Sequence, residues 1–391
     1  MFEKHNIVIA GSGGIGRAVG LILAENKDFN TKLYLGDARS ATAHEAVEWI
    51  QQGTTKDQLD IEAFAMPMEG SSELMSSILK EADIILDCLP GSQAPRLARL
   101  ACEYDLHYAN LTEYVKETQE VVNIAQDARK GFVLQTGLAP GFINILGHKL
   151  FQDFCQNHHV DKVNKLIMKV GALTQHARPP HYYGFTWSPI GVATEYVKDA
   201  IVVRNGVKRT LPALSEKDTF IIDGVTYESN LTSGGAADLP EALEGKVVDL
   251  DYKTIRYPGH YAWVQKTLAN IPDGKDLIGK LENIMLEQIP SVEDDIVLVF
   301  AAVEGKDAHG RLRAMEKAYY IPPVKVGHHT LRAIQATTAA PLCEVARMLL
   351  SGQWQGPVFQ SQLDTNAFLS GPFVKAVYGA WDQVREDQVL A

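Results

Sequence analysis

Cysteine is scarce in this chain: four residues in 391, at Cys88, Cys102, Cys155 and Cys343, with no CxxC pair. Such spacing gives neither a disulfide framework nor a set of metal ligands. Long apolar runs are missing as well. No stretch reaches the ~18 residues that a membrane-spanning helix needs, and the short apolar run near the N-terminus enters a glycine turn directly, unlike a secretory signal. Basic residues are outnumbered, 37 Lys and Arg against 48 Asp and Glu, for a formal net charge of −11. Neither nucleic acid nor an anionic membrane is an expected partner of such a chain. A reducing cytoplasm is the simplest location. What is left is an ordinary globular composition, 46% hydrophobic and 22% charged, in a chain long enough for two or three domains of ~150 residues.

The most informative stretch is Asn6-Ile7-Val8-Ile9-Ala10-Gly11-Ser12-Gly13-Gly14-Ile15-Gly16. It reads as an apolar strand running into Gly-x-Gly-x-x-Gly and then an apolar helix. Gly11 permits the tight turn, Gly13 lets backbone approach a pyrophosphate, and Gly16 lets helix pack on strand. The helix N-terminus then offers N–H groups and a positive dipole end to the anion. Thr31 to Asp37 reads as a second strand ending in a carboxylate, close to the ~20 residues after the glycines at which an acid bonds the adenosine ribose. A carboxylate at Asp37 repels a 2′-phosphate and favours NAD, whereas Arg39 beside it leaves NADP open.

Residues 1–137 alternate strand-like segments (6–10, 31–36, 61–66, 83–88, 106–111 and 131–136) with helical ones such as Ser40 to Gln52 and Gly70 to Lys80. That rhythm implies an α/β fold with a doubly wound parallel sheet, a Rossmann domain. Asp83 to Cys88 has the look of a buried central strand, and Leu89-Pro90 follows at the carboxyl end of the sheet, where ligands bind. After residue 137 the texture changes. Asn205-Gly206 and Asp223-Gly224 sit between β-rich runs and read as hairpin turns. Asp295 to Val303 and Arg311 to Ile321 are suited to antiparallel pairing, and Lys275 to Ile289 has helical periodicity. A helical pattern over His328 to Leu350 then returns to the first domain. The expected division is 1–137 with 328–391 for the dinucleotide, and 138–327 as an inserted α+β substrate domain with a mixed sheet.

Four further motifs are specific: Gly137-Leu138-Ala139-Pro140-Gly141-Phe142-Ile143-Asn144, Phe185-Thr186-Trp187-Ser188-Pro189-Ile190-Gly191, Thr232-Ser233-Gly234-Gly235, and Lys253-Thr254-Ile255-Arg256-Tyr257-Pro258-Gly259-His260. In this order the chain resembles the saccharopine dehydrogenase-like family, which includes glutamate-forming saccharopine dehydrogenases, carboxynorspermidine dehydrogenases and NAD-dependent lysine 6-dehydrogenases. The resemblance implies a discontinuous Rossmann domain, a middle domain that binds substrate and supports homodimers, and hydride transfer between nicotinamide and an amine-bearing carbon. Saccharopine reductases typically read Asp-Pro-Gly where this chain has Ala139-Pro140-Gly141. The alanine form, like the run from Lys253 to His260, is more similar to lysine 6-dehydrogenases.

These readings give candidate site residues. For the cofactor they are Gly11, Ser12, Gly13, Gly14, Ile15, Gly16, Asp37, Arg39, Cys88, Leu89, Pro90, Leu111, Pro140 and Gly141. Arg256 can clamp a substrate carboxylate bidentately, or form a structural ion pair. His260 is a candidate acid/base or a packed core histidine. Glu113, after the fifth strand, is a candidate base or ammonium partner, or a plain surface acid. Lys253 is an alternative base if burial depresses its pKa. Thr232, Ser233, Gly234 and Gly235 offer backbone N–H groups to a carboxylate, and Trp187 walls the pocket or belongs to the core. His176 and His181 read as loop residues. Arg178 and Arg204 are the further cations that a tricarboxylate such as saccharopine would use.

Overall fold

The first strand forms where the sequence packs Ile7, Val8, Ile9 and Ala10 together: β1 (His5–Ala10) buries all four. A computed structural model of the protein describes residues 4–112, 115–272, 274 and 276–379. After β1 come β2 (Thr31–Asp37), β3 (Asp60–Ala65), β4 (Ile84–Asp87), β5 (His107–Asn110) and β6 (Gly131–Val133). A longer set follows: β7 (Val163–Thr174), β8 (Ala200–Arg204), β9 (Val207–Leu211), β10 (Asp218–Ile222), β11 (Val225–Leu231), β12 (Val247–Arg256), β13 (Asp295–Lys306) and β14 (Leu312–Ile321). Three short strands close the series: β15 (Val324–Val326), β16 (His329–Leu331) and β17 (Gly356–Val358). By internal contacts the described residues divide into two units, one of residues up to Phe142 with Val324–Leu331 and 335–379, the other of Ile143–Pro323 with Arg332–Ile334.

The first unit holds a seven-stranded sheet in the order β17-β6-β5-β4-β1-β2-β3. Every pairing in it is parallel. All four residues of β4 are buried, as a central parallel strand requires. The strand order reverses between β1 and β4, and the carboxyl ends there are the ligand-binding edge of such a sheet. The helix expected from Gly70 begins at Glu73 instead, because the Ser72 hydroxyl accepts from the Met75 N–H and caps it. The helical run expected from His328 also starts later. It spans Ala333–Ser351, and His329–Leu331 is a strand paired with Val324–Val326. Asp295 sets that start by accepting from the N–H groups of Ala333 and Ile334 at 2.7 and 2.8 Å. β17 was not legible in the sequence, since three residues are too few to display a period of two.

In the second unit the sheet runs β10-β11-β12-β7-β13-β14, with β8 pairing β12 and β9 pairing β8. β12 and β7 are parallel and the other pairs antiparallel, which makes the sheet mixed. Both expected hairpin turns form, with positive φ at Asn205 (54°), Gly206 (77°), Asp223 (49°) and Gly224 (79°), as two-residue turns between twisted strands demand. The helices Pro189–Val197, His260–Ala269 and Leu277–Gln288 contribute to one buried apolar cluster that contains Tyr183, Tyr196 and Tyr261. The Tyr183 and Tyr196 rings of this cluster flank the Arg256 guanidinium.

Candidate active site

The glycine turn in the first unit is shaped as a cradle. Gly11 takes φ +97°, and a Cβ there would lie 2.9 Å from the Cys88 carbonyl oxygen. At Gly16 a Cβ would lie 1.8 Å from the Gly11 carbonyl oxygen, so helix and turn touch backbone to backbone. Gly13 faces the other way: a Cβ added to it meets nothing within 4 Å. The helix Gly14–Glu25 starts at Gly13, where no side group caps it, and its first turn holds no acid; its N-terminus is left to an anion. Asp37 ends β2, where its Oδ2 accepts from the Ser12 N–H and its Oδ1 from the Arg39 N–H, each at 3.1 Å. A carboxylate oxygen has further lone pairs, so Asp37 braces the turn and keeps acceptor capacity. The Arg39 side chain is exposed. These features fit a dinucleotide.

Cys88, Leu89 and Pro90 leave the end of β4. One residue before them lies a group that the sequence reading passed over. Asp87 is buried; its Oδ1 accepts from the Leu89 N–H at 2.9 Å and its Oδ2 from the Tyr108 hydroxyl at 2.6 Å. Burial pushes its carboxyl up to about 6. Asn110 donates to the Tyr108 oxygen at 3.3 Å and accepts from the Gln135 N–H at 2.9 Å. This polar ladder fixes the carboxyl ends of β4 and β5 and the segment beyond β6. An acid closing an otherwise apolar strand was the available signal. Leu111 is half-buried just after β5. Pro140 and Gly141 are buried in a closed turn: the Gly137 N–H donates to the Pro140 carbonyl at 3.1 Å and the Phe142 N–H to the Gly137 carbonyl at 2.8 Å. Glu113 lies outside the described residues.

In the second unit the centre is Arg256, the last residue of β12 and 1% exposed. Its Nε donates to the Tyr196 hydroxyl oxygen at 2.7 Å and its Nη1 to the Ile255 carbonyl at 2.9 Å. Its Nη2 has no hydrogen-bond partner among the described residues, with Glu195 Oε2 at 3.8 Å. The Tyr183 ring lies 4.7 Å from the guanidinium carbon, an attractive cation–π arrangement. The electron-rich tyrosines and Glu195 keep this guanidinium charged against the cost of burial.

His260 starts the next helix and is wholly buried. Its Nδ1 is 2.7 Å from the His181 carbonyl oxygen and its Nε2 is 3.0 Å from the Tyr196 hydroxyl. Burial, with Arg256 nearby, pushes its pKa down to about 3. Both ring nitrogens are therefore engaged in a neutral imidazole. This is the hydrogen-bonding of a packed histidine, and His181 takes part through its backbone carbonyl. Lys253 is also buried, but its Nζ donates to Asp218 Oδ2 at 2.7 Å and lies 3.8 Å from Glu216. An ammonium held by two carboxylates is poorly placed to act as a base. Arg204 is occupied too, with Glu216 and Asp251 each 2.6 Å from its Nη2. Arg178 is exposed at the loop surface with His176, whose Nε2 is 3.1 Å from Asp294 Oδ2.

The small-residue motif lies against the same cluster. The Ser233 N–H donates to the Glu195 carbonyl at 3.1 Å, and the Thr232 and Thr254 hydroxyls are 2.6 Å apart. Gly234 has φ +86°, and the Gly235 carbonyl accepts from Asn144 Nδ2 at 2.9 Å. Trp187 is half-buried against the cluster of Tyr183 and Tyr261. Sequence reasoning missed Tyr183, Glu195 and Tyr196. Two of them sit on Pro189–Val197, a nine-residue helix whose apolar run hides its polar members. No helix of the described residues is long and apolar enough to cross a membrane, and no cluster of three or more His, Cys, Asp or Glu suited to a metal occurs among them.

An open parallel sheet with a glycine turn and an acid on β2 defines a dinucleotide-binding class, here followed by a mixed-sheet unit with a buried arginine. The protein belongs to the saccharopine dehydrogenase family. The model of the saccharopine dehydrogenase NADP binding domain matches residues 7–134, and that of the saccharopine dehydrogenase C-terminal domain matches residues 137–376. In fold it is similar to a saccharopine dehydrogenase (L-Glu forming) from Saccharomyces cerevisiae, with TM-score 0.70 and 14% identity over 94% of this chain and 96% of that one. It is similar too to a homospermidine synthase from Legionella pneumophila solved with NAD, with TM-score 0.65 and 13% identity over 97% and 91% of the two proteins. In sequence it is 22% identical over 208 residues to the mitochondrial alpha-aminoadipic semialdehyde synthase of Mus musculus, a match covering 53% of this chain and 21% of that protein. The match to the Rattus norvegicus protein of the same name also covers 21% of its length, so the sequence spans about a fifth of these curated relatives.

Proposed function

We propose that this protein is an NAD-dependent dehydrogenase acting on the terminal C–N bond of an amino acid's side group, with lysine as substrate and the semialdehyde and ammonia as products. The observation that carries the reading is Arg256, a buried guanidinium whose Nη2 makes no hydrogen bond among the described residues and has Glu195 Oε2 at 3.8 Å. Arg204 is saturated by carboxylates, and Arg178 lies towards solvent. One committed arginine suits the single carboxylate of lysine better than the three of saccharopine, in line with Ala139. Glycines 11, 13 and 16, Ser12, Gly14, Ile15 and Asp37 would hold the cofactor, whose nicotinamide, when bound, accepts hydride from the amine-bearing carbon. The balance is R–CH2–NH3⁺ + NAD⁺ + H2O giving R–CHO + NADH + NH4⁺ + H⁺, through an imine to which water adds. Arg256 anchors the carboxylate, and the aromatic cluster around it keeps that end dry. The substrate ammonium must lose a proton before hydride departs. With His260 and Lys253 engaged elsewhere, Glu113 is the proposed acceptor. Glu113→Gln is then expected to lower kcat about 10²-fold or more with NADH affinity unchanged, and an unaltered kcat would remove Glu113 from the mechanism. Assembly as a homodimer belongs to the same proposal.

NADH formation with lysine, saccharopine, ornithine and carboxynorspermidine in turn tests the substrate. Release of glutamate from saccharopine would overturn the lysine assignment. Tight NAD binding without turnover of any of the four would make the protein a dinucleotide-binding regulator instead. Cofactor choice rests on Asp37. Asp37→Ala is expected to weaken NADH about tenfold or more and NADPH much less, since the acid binds ribose hydroxyls and repels a phosphate. Equal losses in paired fluorescence titrations would remove it from cofactor selection.

A further inference from the structure

Between Arg256 and His260 stands a hydroxyl with a single consistent hydrogen-bond arrangement. The His181 carbonyl can only accept, so His260 Nδ1, 2.7 Å away, carries the ring proton. In a neutral imidazole the other nitrogen is then a lone pair, and Tyr196 must donate to it across 3.0 Å. The Tyr196 oxygen in turn accepts from Arg256 Nε at 2.7 Å. Each of the three bonds along Arg256, Tyr196, His260 and His181 pairs one donor with one acceptor, and Arg256, Tyr196 and His260 are each at most 2% exposed.

That arrangement has a mechanical result. A guanidinium is a rigid planar fork. Tyr196 holds its Nε and the Ile255 carbonyl holds its Nη1. With two of its three nitrogens fixed, the direction of the third follows, and the third is Nη2, which makes no hydrogen bond among the described residues and lies 3.8 Å from Glu195 Oε2. We propose that Tyr196 is the positioning residue of the substrate site: it aims Arg256 Nη2 at the substrate carboxylate, with His260 as the acceptor that keeps the phenol turned. The proposal rests on the reading of Arg256 as carboxylate anchor. Tyr196 itself touches no reacting atom. Its helix is well anchored, since Pro189 begins it and the Ser188 hydroxyl accepts from the Gly191 N–H at 3.3 Å.

Tyr196→Phe keeps the ring and removes only the oxygen. With the amino acid that the protein turns over, KM is expected to rise about 10- to 100-fold, the worth of a hydrogen bond to a charged group. The expected kcat stays within about threefold, and NADH affinity is unchanged. Tyr261→Phe is the control. Its hydroxyl also lies in this cluster but donates to the Thr254 carbonyl, and neither Nε nor Nη1 of Arg256 is bonded to it, and its KM should match the parent. A readout without turnover is ¹⁵N NMR of the imidazoles. His260 should show the Nδ1–H neutral form in the parent, and its Nε2 resonance should move in Tyr196→Phe. An unmoved resonance overturns the hydrogen-bond series itself. An unchanged KM in Tyr196→Phe, while Arg256→Met raises KM, overturns the positioning role and leaves the anchor standing. If Arg256→Met leaves KM alone, the anchor reading fails instead. Equal rises in Tyr196→Phe and Tyr261→Phe would assign the effect to cluster packing and overturn the proposal, as would a fall in kcat at constant KM.

Discussion

Gly16→Ala is expected to cut NADH affinity by about 100-fold or more, some 2.7 kcal/mol, measured by fluorescence titration. The added Cβ would start 1.8 Å from the Gly11 carbonyl oxygen. Both partners in that contact are backbone, so neither can swing aside as a side chain would. Relief requires the helix Gly14–Glu25 to move off the turn, and the N–H groups facing the phosphates move with it. Overpacking of this kind also costs stability, about 1–3 kcal/mol, so the melting temperature should fall in the same variant. Gly13→Ala separates the two effects. Its Cβ meets no protein atom within 4 Å, so the fold should melt like the parent and only the ligand should feel the methyl group. Parental affinity in Gly16→Ala would mean that the turn does not bind dinucleotide.

The first unit was legible because its signals are local. A run such as Ile7 to Ala10 can be buried only as a strand between other strands, and the glycines specify their own turn. The acid at Asp37 comes where β2 must end. Asn205-Gly206 and Asp223-Gly224 announced their hairpins for the same reason. The helix expected from His328 failed because its start is set by Asp295, 38 residues earlier in sequence. Periodicity carries no trace of such a cap. Arg256 and His260 stood out through their motif, but what holds them did not. Tyr196 lies 60 residues before Arg256 and 64 before His260, and in sequence it is one tyrosine in an apolar helix. The sequence left His260 open between two roles, and only a three-dimensional count of its hydrogen bonds distinguishes a nitrogen free to accept a proton from one already accepting.

Arg256→Met is expected to raise KM for the amino acid about 100-fold or more, as loss of a charge-assisted, buried contact to a carboxylate, with NADH affinity retained. It is also expected to destabilise the protein by about 3–5 kcal/mol, because one member of a buried ion pair is removed. The second effect confounds the first, since a purely structural ion pair would predict the same instability and some loss of activity. The double variant Glu195→Gln with Arg256→Met separates them. Removing both charges of a buried pair is often neutral for stability, so the melting temperature should return towards the parent. A structural pair predicts that KM returns as well. A carboxylate anchor predicts that KM stays high, because the guanidinium that receives the substrate is still absent. Arg256→Lys should fall between: it keeps a charge and three donors, but they sit on one nitrogen and do not reproduce the planar fork that reaches Tyr196, the Ile255 carbonyl and the ligand together. Parental KM in the double variant would reduce Arg256 to a strut.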